Sequence, residues 1–510
     1  MIKESTWDKK LKIAYKAISM VNKEAYKDIY LLSNQVLSKN PFSNSFLKNF
    51  LSYKKLSKQR GLTVISKLIC YYLWSFIHYL VYLIKFIVFS VSGLRYNLYE
   101  DKDELVLIDT FFLTDNIIRS KKFTEQYFKG LDDVLNKTGK HYAYLPVFYG
   151  NGNLLKLKSA LKIIRQDNIP VLSEYQLLSL KDWLHMIVFI ITYPWHVLKF
   201  AKSLNKRDRI TRLIYHELID TLDHVTFLDF SRYLQGKRVA HLPYKNIKLI
   251  SWYENQGIDK NLYKGLRTNP GKVIVYGSQL FLYSKTDLNI IVDDNEMIFD
   301  IIPDKIIVNG PYFMPESSML NYIVGPSLRY GELFKSLNRE VNKNDILVLL
   351  SYYAEDTENI LRLLYKADLS AWHVVIKPHP ATPIDKFRYL LLPEWDIVSE
   401  GLYSLFESAR IVIGSASGSL IEAASLCIPV ITIKNICSYD YAIFPEKGRG
   451  ILWDEAGSAE ELMVKIEGFD KFLHERLPEM AEIALWYKKM FFNEPSVENI
   501  IRAFDLYENK

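Results

Sequence analysis

Short apolar runs alternate along most of this chain with longer stretches whose apolar residues recur at helical spacing. Runs at 105–109 (LVLID), 141–146 (HYAYLP), 247–252 (IKLISW), 273–276 (VIVY), 288–292 (LNIIV) and 305–308 (KIIV) read as strands, with a weaker one at 169–172. Most are apolar on both faces, and helical stretches rich in Lys, Leu and Ile lie between them. That combination predicts a parallel sheet covered by helices on both sides. Gly310-Pro311 and Gly325-Pro326 then interrupt the chain, as turn-forming pairs do. A second series follows, with strands at 346–350, 372–376, 395–398, 411–413, 429–433 and 451–453 and helices near 355–366, 402–408, 418–427 and 458–473. A helical stretch over 476–507 is broken by Pro478 and by the turn Asn493-Glu494-Pro495. The pattern predicts an α/β protein of two Rossmann-like domains facing each other across a cleft. Its expected parts are a helical arm (1–100), a first domain (101–325), a second domain (326–475) and C-terminal helices (476–510) packing back across a hinge near residue 325.

Size and composition agree with that plan. A chain of 510 residues is too long for one ordinary core, and 49% hydrophobic with 24% charged residues is globular. Cys70, Cys427 and Cys437 have neither metal-ligand spacing nor a disulfide framework, which suits a reducing compartment. The ten histidines form no cluster with cysteine, so neither a metal nor another cofactor is expected.

Charge distinguishes the arm from the rest. Residues 1–100 carry 16 Lys and Arg against 5 Asp and Glu, a net of +11 where the whole chain has +7. No acidic residue falls between positions 29 and 99, while Lys39, Lys48, Lys54, Lys55, Lys58, Arg60, Lys67, Lys85 and Arg95 do. Such a segment seeks a polyanion, either nucleic acid or an anionic membrane face. Its aromatic residues are massed in apolar runs instead of interleaved with the basic ones, which argues against nucleic acid. The run 68–84 has 17 residues without formal charge, and 86–94 continues it past Lys85. That is borderline for a span of about 20 apolar residues. His78, Lys85 and the many Tyr and Trp side chains favour a helix lying in the membrane interface. A second uncharged run, 183–198, is broken by Pro194 and followed by Lys199 and Lys202; it reads equally well as a buried core helix. MIKESTWDKK opens the chain without the apolar stretch of a cleaved signal peptide.

Candidate chemistry lies where strands end. Lys377-Pro378-His379-Pro380 follows the strand WHVVI; its prolines fix the backbone as it leaves the sheet, and its imidazole and ammonium suit a phosphate. The bland reading is a rigid surface turn. Gly414-Ser415-Ala416-Ser417-Gly418-Ser419 links the strand IVI to a helix. Small residues there let N–H groups and hydroxyls approach an anion beside a helix N-terminus. Glu422 stands where a capping box with Ser419 would place it; it is a cap or a ribose ligand. The loop is neither a Walker motif nor GxGxxG, so ATP and NAD have no specific support. Glu254, in Tyr253-Glu254-Asn255-Gln256 after the strand IKLISW, could act as a general base, with Asn255 and Gln256 orienting a sugar. Asp109, before Thr110-Phe111-Phe112, is the rival base, and either carboxylate could instead be a helix cap. Asp101-Lys102-Asp103 precedes a strand, which is poor placement for a metal–nucleotide ligand.

KPHP followed about 35 residues later by GSASGSLIEAASLCIPVI resembles the nucleotide-sugar domain of bacterial GT-B glycosyltransferases that build capsules and lipopolysaccharides. Sialyltransferases, Kdo transferases and teichoic-acid glycerophosphotransferases share a His-Pro motif and a downstream Ser-rich loop, and the resemblance covers roughly 245–435. It implies a GT-B fold and donor binding by Lys377, His379, Pro380, Gly414, Ser415, Ser417, Gly418, Ser419 and Glu422. It also implies a Glu after the first-domain strand, followed by a basic helix (Lys260, Lys264, Arg267) and a Gly-x-Gln turn (Gly277-Ser278-Gln279). The sequence departs from the sialyltransferases in lacking their paired acids and Gly at Glu254. The expected activity is inverting, metal-independent transfer of a sugar from a nucleotide-activated donor, CMP-linked among the candidates, to a lipid-linked glycan. The expected place is peripheral, at the cytoplasmic face of the inner membrane. A polyol-phosphate transferase of the same architecture, with His379 acting directly, and a non-catalytic polysaccharide assembly or export factor are the alternatives.

Overall fold

The computed structural model describes residues 6–39, 63–98, 103–150, 152–284, 286–316, 318–335, 345–380, 382–415, 417–435 and 443–507. The alternating runs build two six-stranded sheets. The first holds β1 (Glu104–Leu113), β2 (Tyr142–Tyr149), β3 (Asn246–Trp252), β4 (Val273–Gln279), β5 (Lys305–Val308) and β6 (Asn321–Val324), in the order β2-β1-β3-β4-β5-β6. The second holds β7 (Asp345–Leu349), β8 (His373–Lys377), β9 (Asp396–Ile397), β10 (Ala409–Gly414), β11 (Val430–Ile433) and β12 (Trp453–Ala456), in the order β12-β11-β10-β7-β8-β9. Every pairing is parallel. Helices cover both faces, so the central strands β7 and β10 are buried throughout.

Three expected strands change. Residues 288–292 contain a 3-10 turn (Leu288–Ile290), because polar side chains compete for the backbone there: Asp287 accepts from the Ser284 N–H (2.9 Å) and Asp293 caps the next helix. Residues 169–172 provide only a single bridge, Val171 to Tyr144. The strand expected at 451–453 starts at Trp453, because the Leu452 N–H closes a turn onto the Gly448 carbonyl (2.9 Å). Conversely, β6 had no apolar run to announce it; it is a half-exposed edge strand.

The N-terminal segment is part of the first domain's packing. Helix Thr6–Ala25 buries Leu11, Ala14, Ile18 and Val21. Asn295 Nδ2 donates to the Ser19 carbonyl (2.9 Å), and Asp28 pairs with His196 (2.5 Å). Two basic residues of the arm are not available to a polyanion. Lys39 is fully buried, and the Lys67 ammonium donates to the Asp220 carbonyl at 2.6 Å. Lys48, Lys54, Lys55, Lys58 and Arg60 lie outside the described residues. At the other end, the chain after helix Leu477–Phe491 returns to the first domain. Ser327 and Asn493 exchange hydrogen bonds (2.8 and 3.0 Å), and Phe504 packs on Tyr276.

One helix crossing sets the geometry of the first domain's ligand edge. Helices Phe227–Val239 and Gly257–Leu266 touch backbone to backbone at Gly236 and Gly265. A Cβ on Gly265 would stand 2.1 Å from the Tyr233 carbonyl oxygen, whereas one on Gly468, within helix Ala459–Glu475, would meet nothing within 4 Å. Gly265→Ala is therefore expected to lower stability by about 3 kcal/mol, the upper end for overpacking against atoms that cannot move aside. Gly468→Ala should raise it by about 0.5–1 kcal/mol through helix propensity. Urea unfolding of the two variants beside the parent checks both signs.

Candidate active site

In open parallel sheets, ligands gather off the carboxyl ends of strands where the strand order reverses. In the second sheet that point lies between β7 and β10, with β8 on the other side of β7. The predicted donor loops leave from β8 and β10, so Lys377, His379 and Pro380 share one edge with Gly414, Ser415, Ser417, Gly418 and Ser419. His379 packs edge-to-face on Tyr352, which follows β7 (5.4 Å between centroids), and burial lowers its pKa, favouring the neutral imidazole. Lys377 is turned aside: its ammonium donates to the Glu400 carbonyl at 2.5 Å, and burial lowers its pKa. Pro380 is exposed and Ser415 is buried. Gly414 allows a tight strand-to-helix turn, since a Cβ there would be 3.0 Å from the Leu349 carbonyl oxygen. Gly418 comes against the first domain, where a Cβ would be 3.2 Å from Leu282 Cβ.

The expected capping box is replaced by a different arrangement. Gly418 is the N-cap of helix Ser419–Ser425, without a side-chain cap bond. Ser417 Oγ accepts from the Ser419 N–H (3.3 Å). Glu422 lies buried beneath the loop, bonded by the Tyr403 hydroxyl and by Ser419, and burial raises its pKa.

In the first sheet the order reverses between β1 and β3, the strands that carry the two candidate bases. They differ in environment. Asp109 is buried; Arg232 donates to one carboxylate oxygen (2.5 Å) and Ser251 to the other (2.8 Å), with Tyr263 behind Ser251 (3.0 Å). Both its oxygens are spoken for within the fold. Glu254 instead borders a cavity of about 230 Å³, with Gln35, Ser38, Trp252, Asp229 and Asp259 also on its wall. The Trp252 indole donates to it (2.8 Å), as does the Gln256 amide, and burial raises its pKa against those bonds and the charge of Arg329. Burial also pushes Asp229 and Asp259 up to about 7. Asp259 caps its helix, accepting the N–H groups of Glu254 (3.1 Å) and Gln256 (3.0 Å).

Asn255, expected to orient a sugar, and the three basic residues of the following helix serve the fold. Asn255 is fully buried in a left-handed backbone conformation (φ 55°). Lys260 is buried, Lys264 donates to the Phe299 carbonyl (2.9 Å), and Arg267 pairs with Asp300 and Asp304 (both 3.1 Å). A residue that motif reading passed over stands between the domains instead. Arg329, just after the Gly325-Pro326 hinge, lies over the rings of Tyr127 (5.8 Å) and Trp252 (6.0 Å). Its charge acts on Glu254 of the first domain and on Glu422 of the second, and Lys129 also acts on Glu422.

Phe111 lines both the Glu254 cavity and a second one of about 350 Å³, which Asn116, Arg119, Lys122 and Gln126 also line. Lys122, Phe123, Thr124 and Glu125 are shared in turn with a third of about 530 Å³. Phe111, Tyr127 and Trp252 form an aromatic wall between the first two, with centroids 4.6–6.5 Å apart. Among the described residues no group of three His, Cys, Asp or Glu side chains could hold a metal ion. Asp103 pairs with Lys245 (2.7 Å), and Asp101 lies outside the described residues.

What holds Glu254 in place is a buried charge cluster. Glu296 receives Lys39 (2.9 Å), Lys260 (3.0 Å) and Asn255 Nδ2 (3.1 Å). Lys260 also donates to the Asn255 carbonyl (2.7 Å), and Lys39 to the Ile291 carbonyl (2.7 Å). Burial alone would raise the Glu296 pKa, but the charges of Lys260 and Lys39 bring it down to about 2.

No protein-family model and no curated protein matches the chain. Among solved structures it is similar to MurG of Acinetobacter baumannii (11% identity, TM-score 0.40, covering 79% of this chain and 99% of that one). It is also similar to the UDP-GlcNAc 2-epimerase of Methanocaldococcus jannaschii (13%, 0.40, 78% and 98%) and to the wall teichoic acid polymerase TagF (10%, 0.38, 88% and 97%). Alignments this remote add nothing to the topology, which by itself is that of two Rossmann-like domains meeting across a cleft, the GT-B arrangement.

The Glu296 cluster makes a stability prediction with a definite sign. Its folded pKa lies below the ordinary carboxylate value, so its contribution is complete above about pH 4.5 and is lost as pH falls toward 2. Acid unfolding of the parent should steepen in that window. Glu296→Gln leaves two buried ammonium groups underneutralised and should cost about 3–5 kcal/mol at pH 7. Its stability should also be less sensitive to pH between 4.5 and 2, as read by denaturant melts along a pH series.

Proposed function

We propose that this chain is an inverting, metal-independent glycosyltransferase that moves a sugar from a nucleotide-activated donor onto a membrane-borne, lipid-linked surface glycan. It would act as a peripheral protein at the cytoplasmic face of a bacterial inner membrane. The observation that supports the reading is the setting of Glu254, a carboxylate whose pKa burial raises and which borders a cavity of about 230 Å³. Arg329 acts on it and also on Glu422 beneath the serine-rich turn of the second domain.

In this reading the acceptor lies along the aromatic wall of Phe111, Tyr127 and Trp252, with its reacting hydroxyl at Glu254. Glu254 takes the hydroxyl proton as the acceptor oxygen bonds to the anomeric carbon, and the bond from that carbon to the donor phosphate breaks. The electron pair leaves with the nucleotide. A raised pKa brings a carboxylate nearer the operating pH, where a general base works best. Arg329, His379 and the N–H groups of the Ser415–Ser419 turn would meet the charge that develops on the departing phosphate. Asp109, held by Arg232 and Ser251, is assigned to positioning β3 instead. The place of His379 after β8, where burial lowers its pKa, favours one second reading, transfer of a polyol phosphate with His379 acting on the phosphoryl group.

A thermal-shift screen with CMP, UDP, GDP, dTDP and CDP-glycerol tests the donor side; one nucleotide should raise the midpoint by several degrees. His379→Ala should abolish that rise. Glu254→Gln should keep it while turnover with the matching donor falls by about 10²–10⁴, the usual range for a lost general base. A response to CDP-glycerol alone would select the second reading. No response to any of the five, or glycan assembly intact in both variants, would leave a non-catalytic assembly or export role.

A further inference from the structure

Helix Val64–Ser92 is amphipathic the wrong way round for a soluble protein. Its inward face presents Lys67, Tyr71, Ser75, Tyr79 and Tyr82, all buried against the first domain. Its outward face presents Ile65, Ile69, Leu73, Leu80, Ile87 and Val91, which are 56–77% exposed. From Ile65 to Val91 that stripe runs for roughly 39 Å at 1.5 Å per residue. Helix Leu180–Ser203 lies beside it, antiparallel: the Tyr72 hydroxyl donates to the Ile191 carbonyl (2.9 Å) and the Tyr79 hydroxyl to the Trp183 carbonyl (3.1 Å). This second helix buries Trp183, Met186, Phe189 and Ile190 and exposes Leu180, Leu184, Val188, Ile191 and Trp195. The two stripes therefore form one apolar surface, larger than soluble proteins leave uncovered without a purpose.

Charge on this surface selects its occupant. Lys181 stands at the start of the second stripe, Lys199 and Lys202 follow it, and all three are exposed. The first helix has no acidic residue, and the one in the second, Asp182, is buried against Arg238 (2.7 Å). An apolar face bounded by lysines and free of acids complements an anionic bilayer surface, where the stems lie along the acyl boundary and the ammonium groups reach headgroups. We propose that the two helices form a raft that lies flat in the interfacial layer of an anionic phospholipid bilayer without crossing it. Both are long and apolar enough to span. Spanning would strip Lys67, Ser75 and the three tyrosines from the first domain and place them in hydrocarbon, where unpaired polar groups are costly.

Flotation of the full-length chain with vesicles tests this, and its failure would leave the nucleotide responses of the transfer reading untouched. Co-flotation is expected with phosphatidylglycerol-containing vesicles and much less with pure phosphatidylcholine. Replacing Lys181, Lys199 and Lys202 by Ala should weaken it about fivefold per lysine. Leu80→Glu with Ile191→Glu should weaken it at least tenfold without changing the unfolding midpoint, because both side chains point away from the core. Parent-protein tryptophan fluorescence gives a readout free of variants: lipids brominated near the headgroup should quench more than lipids brominated near the bilayer centre. No co-flotation, stronger quenching from the centre, or a concentration-dependent dimer that Leu80→Glu dissolves while vesicles are ignored would each overturn the proposal.

Discussion

The buried carboxylate of Glu296 is the point on which the candidate site depends. It joins two stretches far apart in sequence: the N-terminal segment, through Lys39, and the turn and helix after β3, through Asn255 and Lys260. Two ammonium groups and two buried carboxylates, Glu296 and Asp293 (3.4 Å from Lys39), tolerate little displacement, since each lost partner leaves a desolvated charge behind. The cluster holds Asn255 in a left-handed conformation, so that Glu254, one residue earlier, emerges beside Trp252 and Gln256 instead of following the strand. It also fixes the segment that contributes Gln35 and Ser38 to the cavity wall. The proposed base is thus positioned by a second carboxylate that borders no cavity.

The same division of labour runs through the first domain. Asp109 lies within β1 and Glu254 just beyond the neighbouring parallel strand β3, yet of the two only Glu254 borders a cavity. Arg232 decides which. It reaches Asp109 from helix Phe227–Val239, and that helix can approach because Gly236 and Gly265 remove the side chains that would separate it from the helix after β3. Close backbone packing therefore determines which carboxylate is left to face the cleft.

Periodicity read the second domain well because β7, β8, β10 and β11 are apolar on both faces and are buried between helices. It failed where burial was partial. β6 carries a half-exposed NYIV with no apolar run, while LNIIV at 288–292 looked like a strand but is fixed by Asp287 and Asp293. At the site, the His-Pro and Ser-rich motifs were visible because prolines and small residues at strand ends have few other uses. Asp229 and Arg329 were not, since a single charge in a helix or a linker looks like solvated surface. Only the position of Arg329 just after Gly325-Pro326 could have suggested a residue facing both domains. Lys39 carried the opposite error: sequence reading assigned it to a polyanion, and burial gives it to Glu296, as it does Lys260.

Hydropathy could not separate a spanning helix from a surface-lying one, because it averages around the helix and the distinction here is angular. In residues 64–92 Lys67, Tyr71, Ser75, Tyr79 and Tyr82 face protein, while most of the exposed side chains are apolar. The consequence reaches the cleft. Tyr30 packs its ring on His185 and His196, which lie on the protein side of helix Leu180–Ser203, and the same segment continues to Gln35 and Ser38 at the Glu254 cavity. A helix is about 10 Å across, so only the raft and one short segment would separate that cavity from lipid headgroups. Under the proposed reading, an acceptor carried on a lipid would reach Glu254 with the first few sugars of its chain, so the proposed placement of the helix at the bilayer and the proposed acceptor support each other.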